Sequence, residues 1–189
     1  MEKNKVVFYC LFFLFAIIPV YPVVANDGYC VRATSEYYVG VREKGGNNNG
    51  FTSRELQREM TKAGWRPGYA WCSFFVKAVL DACGVQNSIT GWSPSAYNRK
   101  DVIYTDGRFK KSFSNGDVLI FTLSYQKFLG KRYKGIGHTG VVDWVGKYSV
   151  RTIEGNTNDQ GMRDSRTGDG VYIKIRPLNS SLHITRWGK

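Results

Sequence analysis

The chain is expected to fold as an α+β domain, with helices first and an antiparallel sheet after them. Three observations predict this. Apolar residues recur at 72, 75, 76, 79, 80 and 83, which is one face of an α-helix. Residues 138–145 and 148–154 are rich in Val, Thr, Ile and aromatic side chains and flank Gly146-Lys147, the pattern of two strands joined by a turn. Further strand-like runs at 117–123 and 170–176 follow the helical half and do not alternate with helices, which favours helices packed on one antiparallel sheet.

The elements follow in order. Lys3 and Lys5 precede an apolar run from Val6 to Val20, and Val23-Val24-Ala25 stands before Asn26. This reads as a secretory signal peptide over 1–25, leaving 26–189 as a single domain, with a retained membrane anchor as the rival reading. Such a leader implies export and only transient contact with a membrane. Ser35 to Glu43 is expected as a first helix, closed by Gly45-Gly46. Thr52 or Ser53 can cap a second helix running through Ala63 and stopped by Gly64. Arg66-Pro67-Gly68 is turn chemistry, and a third helix then spans 71–83 with Gly84 as its C-terminal stop. Residues 85–115 contain Gly91, Pro94 and Gly107 and read as a long irregular segment. The stretches 124–137, carrying Lys127, Lys131, Arg132 and Lys134, and 159–170, rich in Gly and Asp, read as loops. Leu182-His183-Ile184-Thr185 reads as an edge strand.

Charge and cysteine content narrow the function classes. The net charge is +12, and loss of Glu2, Lys3 and Lys5 with the leader lowers it by one, to +11, so the surface is drawn to polyanions. Nucleic acid is excluded as the partner because the cations are scattered, no nucleic-acid motif occurs, and the leader takes the chain out of the cytoplasm. With two histidines and no C-x-x-C pair, a structural zinc site lacks ligands, and no cofactor is implied. Without Cys10 three cysteines remain, so at least one thiol is free. Cys72 and Cys83 lie eleven residues apart on one helix, roughly 16 Å along its axis and too far to bond. Either Cys30 pairs with Cys83, or both stay thiols.

The chemistry rests on Cys72, His138 and Glu154-Gly155-Asn156. These supply a nucleophile, a base and groups to orient the base, the parts needed for acyl transfer through a thioester. Cys72 stands in the first turn of its helix, where unpaired N–H groups and the positive dipole end favour a thiolate and can bind an oxyanion. Pairing 145 with 148 across the turn sets His138 opposite 155. A shift of one residue sets it opposite Glu154 or Asn156, and the register decides which of the two shares its face. A buried structural cysteine and a polar hairpin loop are the bland alternatives for the separate pieces.

Trp71-Cys72-Ser73-Phe74-Phe75-Val76, Gly116-Asp117-Val118-Leu119-Ile120-Phe121, Gly137-His138-Thr139-Gly140-Val141-Val142 and Ile153-Glu154-Gly155-Asn156-Thr157-Asn158 resemble, in that order, the blocks of a CHAP domain. These are cysteine, histidine-dependent amidohydrolases/peptidases, relatives of the NlpC/P60 cell-wall enzymes in the papain-like superfamily. The resemblance runs from about Arg42 through Arg176. It implies a papain-like, NlpC/P60-like fold and hydrolysis of peptidoglycan, by an N-acetylmuramoyl-L-alanine amidase or a stem or cross-bridge endopeptidase. It also implies Cys72 as nucleophile, His138 as base, Glu154 as orienting carboxylate and Asn156 as a supporting polar group. Trp71, Trp92, Ser93 and Tyr97 are candidates to line the substrate cleft, with packing beneath a loop as their competing role. Some family members bind calcium just upstream of the nucleophile, but Thr61 to Tyr69 here holds no carboxylate, so no such site is expected. No repeat or appended wall-binding module is recognisable, and no residue pattern specifies an inhibitor or immunity protein. The alternative function is a non-catalytic wall-binding domain that keeps the same fold.

Overall fold

The computed structural model describes residues 27–122, 137–158 and 169–188. The leader, the basic loop before Gly137 and the Gly- and Asp-rich loop from Asp159 fall outside them. The chain is α+β. Helices α1 (Asp27–Tyr37), α2 (Arg54–Lys62) and α3 (Cys72–Ala82) come first, then a 3₁₀ turn (Ser93–Ala96). Strands β1 (Val102–Thr105), β2 (Arg108–Phe109), β3 (Val118–Thr122), β4 (Gly137–Val145), β5 (Ser149–Thr157), β6 (Gly170–Pro177) and β7 (Leu182–Thr185) follow. Among the described residues these strands form one antiparallel sheet in the order β2-β1-β7-β3-β4-β5-β6.

Local chemistry explains α2 and α3. Ser53 is the cap of α2, its Oγ accepting from Leu56 N at 3.1 Å. On α3, Phe74, Phe75, Val76, Ala78, Val79 and Leu80 are all buried, so apolar residues cover most of its circumference. A helix of that kind belongs in the core. It packs on the sheet through a cluster that joins Phe75, Val76 and Val79 to Val118, Val141, Ile153 and Val171. The next residue along each strand points to the opposite face, where Val142, Val150, Ile103, Leu182 and Ile184 form a second cluster.

Three expectations need correction. The first helix lies earlier than Ser35–Glu43, because the segment after Tyr38 is drawn into extended pairing. Gly40 N bonds Val171 O at 2.9 Å, Arg42 bridges to Gly170, and Glu43 bridges to Phe51. The region 85–115 is more ordered than expected. Asp106-Gly107, both at positive φ (52° and 76°), makes the two-residue turn that joins β1 to β2. Residues 182–185 form an interior strand between β1 and β3, with Leu182 and Ile184 in the second cluster.

A disulfide joins Cys30 in α1 to Cys83, the C-cap of α3, with Cα atoms 5.8 Å apart. Cys72 is the free cysteine among the described residues. Replacing Cys30 and Cys83 together by alanine is expected to lower the unfolding free energy by about 2–5 kcal/mol. The gain from the link comes mainly from the denatured chain, which regains the freedom of a loop closed over a sequence separation of 53. Urea denaturation of the two forms measures the difference, and coincident curves would contradict it.

Candidate active site

Cys72 is the first residue of α3, and Trp71 before it is the N-cap. Trp71 makes no side-chain cap bond and the first turn holds no carboxylate, so neither the cap nor that turn supplies a side chain that neutralises the positive end of the helix. The position of this end is set by packing. The Trp71 indole donates from Nε1 to Glu43 Oε1 at 2.7 Å and meets the Phe51 ring edge-on at 4.8 Å. On its other side lies Gly155, where an added Cβ would stand 2.5 Å from Trp71 Cζ3 and 2.8 Å from Phe75 Cβ. The glycine of Glu154-Gly155-Asn156 is therefore a packing requirement that lets β5 touch α3 beside the thiol.

The register of β4 on β5 decides which polar residue meets His138. Val141 pairs with Ile153 and Val142 with Thr152, while an irregularity between Val142 and Trp144 shifts the pairs nearer the turn. Continued outward, the first register sets Gly140 opposite Glu154 and His138 opposite Asn156, one step from the pairing of 138 with 155. A Cβ on Gly140 would lie 2.6 Å from Glu154 Cγ. Because residue 140 lacks one, the Glu154 side chain crosses the strand, and its Oε2 lies 2.9 Å from His138 Nε2. A carboxylate can only accept, so Nε2 carries the N–H and Nδ1 is the basic nitrogen.

Glu154 is fully buried, and its remaining capacity is also used. Oε1 accepts from Thr152 Oγ1 at 2.7 Å and from Arg176 Nε at 2.8 Å, while the Arg176 Nη2 donates to Oε2. Burial alone would raise the Glu154 pKa, but the Arg176 and His138 bonds more than offset it and hold the carboxyl well below the usual range. Arg176 was missed by sequence reasoning. Two signals point to it: a buried glutamate needs a cation, and position 176 falls on the same two-residue alternation along the predicted strand 170–176 as 172 and 174.

Ser93 opens the 3₁₀ turn and joins the two halves of the site. Its Oγ lies 3.7 Å from Cys72 Sγ and donates to the carbonyl of Gly137, next to His138, at 3.0 Å. Cys72 is 4 % exposed and His138 0 %.

The other candidates are placed as follows. Asn156 is buried at positive φ (55°), in the irregularity of β5 between Glu154 and Thr157, and its amide bonds no partner among the described residues. It does not hold the imidazole; Glu154 does. Trp71 is enclosed in the core and does not line a cleft, for the packing reasons given above. Trp92 is exposed beside the 3₁₀ turn. Tyr97 is half-buried with its ring edge-on to His183 at 5.5 Å, and burial raises its phenol pKa. His183 bonds Thr105 through Nδ1 at 2.9 Å, and burial lowers its pKa. In the Gly116-Asp117 block the carboxylate takes Arg186 Nε at 2.7 Å and Ser114 N at 2.9 Å, a latch between β3 and the chain end. Among the described residues no group of three or more His, Cys, Asp and Glu could hold a metal ion.

No protein-family model, curated protein or solved structure matches the chain.

The carboxylate network gives a signed pH dependence. Folding lowers the Glu154 pKa, so its stabilisation is whole above the unperturbed value of 4.5 and is lost as the pH falls toward the depressed one. Glu154→Gln should flatten the acid limb of the stability curve below about pH 5. Arg176→Met should cost about 3–5 kcal/mol at neutral pH, because it leaves the buried carboxylate without its cation. Denaturant unfolding across pH checks both, and an acid limb unchanged in Glu154→Gln would contradict the ionised assignment.

Proposed function

We propose that the chain is an exported cysteine amidohydrolase of peptidoglycan with a papain-like, NlpC/P60-like catalytic arrangement. The observation that carries this reading is the pairing of two features: a thiol at an uncapped helix N-terminus, and an imidazole whose Nε2 is fixed by a buried, ionised carboxylate. The hydroxyl of Ser93 links the two halves. The four sequence blocks quoted above support the substrate class, and the positive charge suits an anionic wall.

In the proposed reaction His138 Nδ1 takes the Cys72 proton, and the thiolate attacks the amide carbonyl carbon. The oxyanion of the tetrahedral adduct is stabilised by first-turn amides of α3. The imidazolium then protonates the leaving nitrogen, the C–N bond breaks, and the acyl group remains on sulfur as a thioester. His138 next deprotonates a water that attacks this thioester, releasing a carboxylate and restoring the thiol–imidazole pair. Glu154 stays ionised throughout and stabilises the imidazolium. The scissile bond is the amide between the muramic lactyl group and L-alanine, or a peptide bond of the stem or cross-bridge.

A second reading, a wall-binding domain without turnover, is favoured by the low exposure of Cys72 and His138. Digestion of purified sacculi separates the two. The expected outcome is new termini released by the wild type, with Cys72→Ala and His138→Ala each lowering turnover on the order of 10⁴-fold or more. Glu154→Gln should cost more than Asn156→Ala, because Glu154 is the residue that bonds the ring. An amidase frees lactyl carboxyls together with alanine amino termini, whereas an endopeptidase frees other peptide termini. Binding without new termini would support the second reading, and turnover independent of Cys72 would overturn the first.

A further inference from the structure

Rotation of one hydroxyl couples the Ser93 side chain to the charge on Cys72. The Ser93 Oγ lies 3.0 Å from the Gly137 carbonyl oxygen, which can only accept, so the single hydroxyl proton points there. Toward Cys72 Sγ, 3.7 Å away, the same oxygen presents a lone pair, and the neutral thiol donates to it. Once the thiol proton moves to His138, that lone pair faces a negative sulfur and the contact becomes repulsive. Turning the O–H about the Cβ–Oγ bond reverses this. The proton leaves the carbonyl and points at the thiolate, forming a charge-assisted bond with no movement of heavy atoms.

We propose that Ser93 is a positioning residue whose hydroxyl turns from the Gly137 carbonyl to the Cys72 sulfur and so holds the nucleophile as the thiolate. This rests on the reading of Cys72 as the nucleophile. The S–H bond breaks and its proton goes to His138 Nδ1, while the Ser93 O–H bond stays intact. Ser93 is buried, so solvent does not readily replace its hydroxyl.

The turn that carries Ser93 is fixed from several sides. Pro94 sets the backbone of its second residue, and the Ala96 carbonyl accepts from Thr185 Oγ1 at 3.2 Å and from Trp187 Nε1 at 2.9 Å. Upstream, a Cβ on Gly91 would stand 2.5 Å from Phe74 Cζ, so that segment lies directly against α3. The serine next to the nucleophile, Ser73, bonds the Thr90 carbonyl at 2.6 Å and so ties α3 to the same segment. The hydroxyl is therefore held at a set distance from the thiol. Among the described residues, the titratable groups linked at the site are His138 on β4, Glu154 on β5 behind it and Arg176 on β6. The first turn of α3 and the 3₁₀ turn carry no acidic or basic residue.

The test measures the rate of Cys72 alkylation by iodoacetamide across pH on the full oxidised chain, read on the Cys72 peptide by mass spectrometry. Ser93→Thr and Ser93→Val share one shape and differ in the hydroxyl, and Ser93→Ala serves as a third form. The midpoint should stay at the wild-type value in Ser93→Thr. It should rise by about one pH unit in Ser93→Val and Ser93→Ala, a tenfold loss of thiolate below the midpoint. An unmoved or lowered midpoint in both variants that lack the hydroxyl would overturn the role of Ser93 while leaving Cys72 as nucleophile. A wild-type midpoint at the ordinary thiol value of about 8.5 would overturn both.

Discussion

A carboxylate without solvent cannot stay ionised unless the surrounding protein supplies donors and a cation, and the site depends on meeting this condition at Glu154. Removing such a group from water costs several kcal/mol, and only close, well-directed partners recover it. Here the partners come from three strands. His138 lies on β4, Thr152 shares β5 with the carboxylate, and Arg176 reaches across from β6 with its planar fork. Only the Thr152 bond is local; the His138 and Arg176 bonds join residues 16 and 22 positions from Glu154, so the imidazole acquires its orientation only when the sheet is assembled. The same network also links stability to the geometry of the site, because removing the cation strands the charge that orients the imidazole.

The close packing of β5 on α3 and of Glu154 on His138 is a matter of missing side chains. Gly155 lets β5 lie against Trp71 and Phe75, and Gly140 leaves the space through which Glu154 reaches His138. Each would fail with a single added methyl group, for which the neighbouring atoms leave no room. The far end of α3 is held by the disulfide to α1. The helix is thus fixed at both ends, by packing where Cys72 stands and by a covalent link at Cys83. Pairing Cys30 with Cys83 also leaves Cys72 as the reduced sulfur among the described residues.

The parts of this arrangement that could be read in the sequence were those set by short-range patterns. The apolar recurrence from 72 to 83 located α3, Ser53 was among the expected caps, and the hairpin around Gly146-Lys147 brought His138 level with Glu154-Gly155-Asn156. What was not legible depended on distant partners. The register hinges on an irregularity at Asp143, a buried carboxylate held by Arg32 of α1 at 2.6 Å and by Arg151 of β5. No local feature of 138–145 announces that pair. The segment 35–43 departs from its expected helix because β6 captures residues 40–42, and the 182–185 strand is interior because β1, in a stretch without a clear strand pattern, pairs with its outer side. The Asp106-Gly107 turn is the exception, because its signal is local.

The division of roles between Glu154 and Asn156 follows from the same irregular backbone. In an uninterrupted strand, positions 154 and 156 would share the face of His138, with 156 directly opposite it. The pairing of β5 with β6 breaks between Glu154 and Thr157, and Asn156 takes a left-handed conformation that asparagine tolerates better than most residues. Asn156 is thereby taken out of the regular alternation, and the carboxylate is left as the imidazole's partner. That choice has a chemical consequence. An amide could orient the ring as well, but only a carboxylate would also stabilise the positive charge that the ring acquires in the proposed reaction. The Arg176 clamp keeps that anion from being neutralised by the proton it attracts.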